Sequence, residues 1–251
     1  MLTTGTLLAK DNCIIDYHHY QSKHDKVIII AHGFYNSKDA VLLENLAKDL
    51  LDEYDVFMFD FRGHGKSGGL FSWISNEGKD LNAALDYLQG KYKKTGLLAF
   101  SMGGSVSINV LAKRNSVDSL ICISAPSDFS KIDYHFWNLD LKEDLFYTLF
   151  TSEGRKGRGV RPGPFWRKKE KPIDNVAKLS VPILYIHGEK DWVIRPWHSK
   201  KLHAKTTSKK KLVMIKNGPH AEYLIKNSKK EFMDEIRGWF AQTLAMDKIK
   251  R

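Results

Sequence analysis

The chain has 251 residues, of which 42% are hydrophobic and 12% aromatic, and this composition excludes a disordered protein and allows a substantial buried core. None of its apolar runs approaches the roughly 20 residues of a membrane span, and its first residues lack the charged and apolar regions of a signal peptide. The net charge of +11 directs attention to anionic substrates, lipid surfaces and nucleic acid.

Short apolar runs typical of buried strands recur along the chain. They cover residues 27–31, 56–59, 97–100, 120–124, 183–186 and 212–215, and weaker strand patterns precede them at 5–9 and 17–20. Apolar residues with helical spacing lie between these runs, in the segments 43–50 and 81–88, and again in 232–240. Strands that alternate with helices predict an α/β fold, with a mostly parallel central sheet and helices on both sides.

The alternation breaks at residues 127–179, a stretch too long for a simple loop. We interpret this stretch as a cap or lid inserted into a core formed by residues 1–126 and 180–251. It contains one short helical pattern (residues 141–149) and mixes aromatic with basic residues. The aromatics either line an apolar substrate pocket or pack the cap onto the core, and the cations face an anionic group, an anionic lipid surface or water. The candidate substrate-binding residues are Trp137, Phe146, Arg158, Arg161, Phe165 and Trp166.

Reactive side chains follow several of the predicted strands. Ligands of open parallel sheets bind beyond the carboxyl ends of the strands. Ser101 comes directly after the run 97–100, and Asp191 and His220 follow the last two strands. Serine, acid and histidine in this order match one known arrangement of a nucleophilic triad. Asp128, which also follows a predicted strand, is the alternative acid.

The segment Ala99-Phe100-Ser101-Met102-Gly103 has small residues two places before and two places after the serine. This pattern is typical of a sharp strand-to-helix turn that presents the hydroxyl as a nucleophile. The usual residue two places before the serine is glycine, and here it is Ala99. Alanine adds one methyl group, the smallest replacement, so we expect the turn to persist with a slight shift.

Together these motifs resemble the α/β-hydrolase superfamily, in particular its lysophospholipase, monoglyceride-lipase and carboxylesterase branch. His32-Gly33-Phe34 is similar to the oxyanion loop of that family, and Asp60–Ser67 to the loop after its fourth strand. Phe100–Gly104 is similar to its nucleophile elbow, His187–Asp191 to its acid loop, and His220 to its terminal histidine. The resemblance covers nearly the whole chain outside the insertion, which would follow the sixth strand of the family's fold.

The resemblance implies a serine hydrolase that cleaves carboxylic esters, either small acyl esters or monoacylglycerol-like lipids, through an acyl-enzyme intermediate. Ser101 would be the nucleophile, His220 the base that accepts its proton, and Asp191 the carboxylate that orients the imidazole. The amide groups of Phe34 and Met102 would form the oxyanion hole. We expect no cofactor and no metal. Thioesterase, amidase and acyltransferase activity remain alternatives, as does a non-catalytic interaction protein.

The remaining expectations concern partners and location. No known nucleic-acid-binding motif accompanies the positive charge, so we expect no specific nucleic-acid partner and at most a weak attraction to anionic lipid surfaces. Cys122 lies in an apolar run, where a reduced structural thiol is typical. A reduced thiol and the lack of a signal peptide favour a cytoplasmic protein.

Overall fold

Eight strands form one sheet in the computed structural model, which describes residues 1–132, 160–164 and 166–245. The strands are β1 (Leu2–Leu8), β2 (Ile14–Tyr20), β3 (Lys26–Ala31), β4 (Asp55–Phe59), β5 (Lys94–Phe100), β6 (Ser119–Ile123), β7 (Ile183–Gly188) and β8 (Lys210–Ile215). Their order in the sheet is β1-β2-β4-β3-β5-β6-β7-β8. The six strands from β4 to β8 in this order are parallel, and β1 and β2 join one edge as antiparallel strands.

The central strands are buried on both faces, which explains their continuous apolar sequences. Every residue of β4, β6 and β7 is buried. In contrast, β1 alternates between exposed and half-buried residues, as an edge strand does. The α/β prediction is therefore confirmed, and the two weak strand patterns near the start of the chain correspond to β1 and β2.

Helices cover both faces of the sheet and separate two apolar layers. The α-helices of the described residues are α1 (Val41–Leu50), α2 (Glu77–Leu88), α3 (Met102–Leu111), α4 (Pro172–Asn175), α5 (Trp197–Lys205), α6 (Tyr223–Asn227) and α7 (Lys229–Thr243). One layer receives apolar side chains from α2, α3 and α5. The other receives them from α1, α6 and α7. Within the described ranges, no helix is long and apolar enough to cross a membrane.

Residues near the two ends of the proposed insertion meet beside the carboxyl end of β6. The Ser127 carbonyl accepts a hydrogen bond of 3.0 Å from the Ile173 amide, and Lys171 forms a 3.0 Å ion pair with Asp128. The helical pattern at residues 141–149 lies outside the described residues. The limits of the cap, 127 and 179, therefore stay a prediction.

Candidate active site

Ser101 lies at the turn between β5 and α3, where the backbone adopts an unusual conformation. Its φ of 46° and ψ of −111° are rarely adopted by a residue with a side chain. Such a conformation costs about 1–3 kcal/mol and persists only where the surroundings enforce it. Here the Ser101 amide donates a 2.7 Å hydrogen bond to the Ile123 carbonyl at the end of β6. The residue is 7% exposed, so the turn buries most of Ser101.

Small residues make this turn possible. A Cβ atom on Gly103 would lie 2.5 Å from the Ala31 carbonyl oxygen, and one on Gly104 would lie 2.6 Å from the Ala125 Cβ. The start of α3 therefore packs directly on the backbone at the end of β3. Ala99 is fully buried in β5 and pairs with Ala31 and Cys122 on the neighbouring strands. The expectation that the turn persists with alanine at this position agrees with the observed geometry.

Asp191 and His220 form a direct hydrogen bond between the loops after β7 and β8. The His220 Nδ1 atom lies 2.7 Å from the Asp191 Oδ2 atom. Because a carboxylate can only accept, Nδ1 carries the proton, and in the neutral imidazole Nε2 is then the basic nitrogen. The Asp191 side chain is fully buried, while the His220 side chain is 12% exposed. This arrangement holds a histidine in the tautomer that can accept a proton.

The surroundings of Asp191 keep its carboxylate ionised. Its Oδ1 atom accepts hydrogen bonds from the backbone amides of Val193 (3.0 Å) and Ile194 (2.8 Å). The His187 Nε2 atom lies 3.2 Å from Oδ2. Burial alone would raise the pKa of Asp191, but the charge of His220 and the hydrogen bonds from both histidines hold the pKa well below its ordinary value.

Three contacts fix the loop that carries His220. The Ala221 amide donates a 3.1 Å hydrogen bond to the Ser124 hydroxyl, which stands at the end of β6. The Lys190 amide donates to the Gly218 carbonyl at 2.9 Å. A Cβ on Gly188 would overlap the carbonyl oxygens of residues 218 and 219, so the acid loop and the histidine loop are in backbone contact. The position of His220 is thereby tied to both β6 and β7.

His32 anchors the loop after β3, which we call the oxyanion loop after its predicted role. The His32 Nδ1 atom lies 2.7 Å from the Gly33 carbonyl oxygen, and the Phe61 amide donates to His32 Nε2 at 2.9 Å. A carbonyl only accepts and an amide only donates, so His32 is neutral with its proton on Nδ1. Burial lowers the pKa of His32 to about 4, which preserves this state at neutral pH.

A buried lysine joins the oxyanion loop to the loop after β4. Lys38 is 1% exposed, and its ammonium group lies 2.7 Å from Asp16, 3.1 Å from Asp39 and 3.1 Å from Asp60. Asp60 also accepts the backbone amides of Lys38 (2.7 Å) and Lys66 (2.9 Å). These contacts allow Asp60 to hold the two loops together.

Three aromatic rings line the oxyanion loop. Phe34, which is 43% exposed, lies 5.0 Å from Phe71 and is stacked at 6.1 Å on Trp73, measured between ring centroids. We call these three residues the aromatic shelf. The Trp73 indole N–H donates a 3.2 Å hydrogen bond to the carbonyl of Gly163. The shelf is thus in contact with the described segment 160–164.

A family model described as "alpha/beta hydrolase fold" matches residues 26–144. The chain has the α/β-hydrolase fold. It is 32% identical over 163 residues to the α/β-hydrolase domain-containing protein WAV2 of Arabidopsis thaliana, and the match covers 62% of this chain and 49% of that protein. It is 28% identical over 240 residues to the uncharacterized protein YqkD of Bacillus subtilis, covering 87% of this chain and 75% of that one. The chain thus spans about half the length of the first relative.

Among solved structures of the superfamily fold, an esterase of Pyrococcus furiosus is similar, with a TM-score of 0.79 and 21% sequence identity. The superposition covers 98% of this chain and 93% of that esterase. At this level of identity the likeness establishes the fold. It places no constraint on which residues react, so the site rests on the geometry above.

Asp128, the alternative acid, is held by other partners. Its Oδ1 atom accepts from the Ser130 amide (3.0 Å) and hydroxyl (2.7 Å), and its Oδ2 atom pairs with Lys171 at 3.0 Å. The carboxylate that forms the 2.7 Å hydrogen bond with His220 is Asp191. This contact favours Asp191 as the acid.

The candidate cap residues fall into two groups. Trp137, Phe146, Arg158 and Phe165 lie outside the described residues. Trp166 is 75% exposed. The Arg161 guanidinium donates to the backbone carbonyls of Gly65 (3.3 Å), Gly69 (3.4 Å) and Ser67. These bonds fasten segment 160–164 to the loop after β4, and a substrate contact of Arg161 stays a prediction.

Two residues that support the site were not predicted from the sequence. Ser124 anchors the histidine loop, and Glu222 contacts the oxyanion loop. Only the position of Glu222, two residues after His220, could have drawn attention to it. Over the part of the chain that the structure describes, no group of three or more His, Cys, Asp or Glu side chains could hold a metal ion.

Proposed function

We propose that this chain is a serine hydrolase that cleaves carboxylic esters through an acyl-enzyme intermediate. The observation that carries the proposal is the 2.7 Å hydrogen bond between Asp191 and His220, formed on loops beside the strained turn of Ser101. The match of residues 26–144 to the α/β-hydrolase family model supports the same interpretation. So does its likeness to a protein described as an esterase.

The reaction follows from the roles of these groups. The Ser101 Oγ atom attacks the ester carbonyl carbon while His220 Nε2 takes the hydroxyl proton, and Asp191 stabilises the resulting imidazolium. The amide groups of Phe34 and Met102 donate to the negative oxygen of the tetrahedral intermediate. Collapse of the intermediate breaks the bond to the alcohol, which receives the proton from His220. Water then attacks the acyl-enzyme by the same steps and releases the carboxylic acid.

The N-terminus of α3 suits the role given to Met102. The helix begins at this residue, and the N–H groups of a first helical turn have no carbonyl partners within the helix. The helix dipole also favours negative charge at this end. An amide donor in an oxyanion hole typically contributes about 3 kcal/mol to transition-state stabilisation.

The aromatic shelf supports an apolar substrate. Phe34 carries one proposed oxyanion donor, and its ring is partly exposed beside Phe71 and Trp73. An apolar acyl or alcohol group bound near the reacting carbonyl would therefore contact these rings. We infer that small acyl esters or monoacylglycerol-like lipids are the substrates.

Covalent labelling with a fluorophosphonate probe tests the nucleophile. The probe should label the wild-type protein and leave Ser101→Ala unlabelled, and the same substitution should abolish turnover of p-nitrophenyl esters. Ser105→Ala is the matched control, since this buried serine lies in the first turn of α3, just after Ser101, and donates to the Pro126 carbonyl. Equal labelling of wild type and Ser101→Ala would refute the proposal.

An ester series of increasing acyl length tests the substrate class. Preference for long chains favours lipids, and preference for short or aryl esters favours a closed pocket. The same triad also suits thioesters, amides and transfer to alcohols. Product analysis with a matched thioester, a matched amide and added alcohol distinguishes those reactions.

A further inference from the structure

A buried carboxylate outside the triad contacts the oxyanion loop. Glu222 is 8% exposed, and its Oε1 atom accepts a 3.0 Å hydrogen bond from the Gly33 amide. The two residues are 189 positions apart in the sequence. Glu222 belongs to the turn that carries His220, so one short segment contacts both the acid and the oxyanion loop. The mechanism above does not use this carboxylate.

Gly33 lies between Glu222 and the nucleophile. A Cβ atom on Gly33 would lie 2.7 Å from Glu222 Oε1 and 3.4 Å from the Ser101 Cβ. Only glycine fits this gap without displacing the carboxylate. Glycine also has the most conformational freedom of any residue, so its backbone needs external restraint to hold a single orientation.

Two hydrogen bonds supply that restraint on either side of the Gly33 Cα atom. Glu222 holds the Gly33 N–H, and His32 Nδ1 holds the Gly33 carbonyl at 2.7 Å. In a planar trans peptide the carbonyl and the following N–H point in opposite directions. Fixing the Gly33 carbonyl therefore fixes the direction of the Phe34 N–H, the proposed oxyanion donor.

We propose that Glu222 is a positioning residue that holds the Phe34 amide in register with Ser101 and His220. The role requires an acceptor oxygen at the Glu222 position. The proposal rests on the proposed function, because the Phe34 N–H matters only if an oxyanion forms at this site. Since His220 and Glu222 share one turn, which the Ala221 amide ties to Ser124, this turn connects the base to the oxyanion loop.

The test compares two substitutions of similar length. Glu222→Gln keeps an acceptor oxygen and removes the charge, whereas Glu222→Met removes the acceptor. The readout is kcat for a p-nitrophenyl ester relative to that for its thiono analogue, whose sulfur is a weak hydrogen-bond acceptor. Loss of a correctly positioned oxyanion donor therefore lowers turnover of the oxygen ester more than turnover of the thiono ester.

We expect Glu222→Gln to keep kcat within about 3-fold and the oxo/thiono ratio unchanged. Glu222→Met should lower kcat for the oxygen ester by about 10²-fold, the effect of a donor misplaced by about 1 Å, with a smaller change in KM. Where the Met variant does not fold, as judged by circular dichroism, Glu222→Asp replaces it. The aspartate side chain is one methylene shorter, so its oxygen lies farther from the Gly33 amide. We expect the same fall in the oxo/thiono ratio.

An unchanged oxo/thiono ratio for Glu222→Met, or for Glu222→Asp where it replaces the Met variant, overturns the proposal. A fall in the ratio for Glu222→Gln also overturns it. Failure of the proposed function gives a different result. In that case Ser101→Ala retains the ester turnover of the wild type, whatever happens at Glu222.

Discussion

Replacing Asp191 by asparagine tests how His220 is oriented. The oxygen of the new side chain would still accept the amides of Val193 and Ile194, which lie 3.0 and 2.8 Å from Oδ1 in the wild type. Its NH₂ group would replace the Oδ2 atom, which lies 2.7 Å from His220 Nδ1. The amide then donates to Nδ1 and places the imidazole proton on Nε2, so His220 can no longer accept the Ser101 proton. The contacts at Oδ1 are preserved while the base is lost.

The expected magnitude is large. This change of tautomer typically lowers kcat about 10⁴-fold, or about 5 kcal/mol in activation free energy. The assay is steady-state hydrolysis of a p-nitrophenyl ester, with circular dichroism and thermal unfolding as checks of the fold. Asp128→Asn is the matched control, because its oxygen can still accept from Ser130 and it lies at the alternative acid position. Wild-type kcat for Asp191→Asn, or a comparable loss for Asp128→Asn, would refute the assignment.

Three further predictions concern packing and pH. Ala99→Gly should keep activity within about 3-fold. It should lower the free energy of unfolding by about 1 kcal/mol, because a buried methyl group and a restraint on the backbone are lost. Urea titration measures the change in stability, and a large loss of activity would contradict the prediction. Gly188→Ala should lower kcat about 10²-fold, since the new methyl group overlaps the Gly218 carbonyl and shifts the loop that carries His220. An unchanged kcat would show that this backbone contact does not position His220. Burial lowers the pKa of His32 to about 4 and of His64 to about 3, so below about pH 6.5 the unfolded chain binds protons that the folded chain does not. The free energy of unfolding should therefore fall as the pH is lowered from about 6.5 to 4, by about 1.4 kcal/mol per pH unit for each histidine. Unfolding curves that do not depend on pH between these values would contradict the prediction.

The strand pattern was predictable from sequence because the central strands are buried on both faces. Apolar runs such as 27–31 leave few alternatives to a parallel-sheet strand. The helix α5 was missed, since its buried residues include His198 and Ser199 together with Leu202, which form no apolar stripe. His198 accepts a 3.0 Å hydrogen bond at Nδ1 from the Ser127 amide, a contact across 71 residues that no local pattern reveals.

The candidate site likewise contains residues that the sequence predicts and residues that only the structure reveals. Ser101, Asp191 and His220 could be selected because each follows a strand and the parallel sheet brings strand ends together. The choice between Asp191 and Asp128 required the distance to His220. The contact of Glu222 with Gly33 depends on how the histidine loop packs against the oxyanion loop, which local sequence does not encode.

The hydrogen bond between Ser127 and Ile173, near the two ends of the predicted insertion, has a consequence for the length of the chain between them. Their 3.0 Å hydrogen bond closes the chain at the base of the insertion. The entropy of closing a loop rises slowly with its length, about 0.6 kcal/mol for each doubling. Lengthening the chain between Ile132 and Val160 should therefore change the free energy of unfolding little, as long as Arg161 and Gly163 keep their hydrogen bonds to the core. The predicted cap can therefore vary in length while the hydrogen bonds that hold Asp191, His220 and Ser124 together are kept.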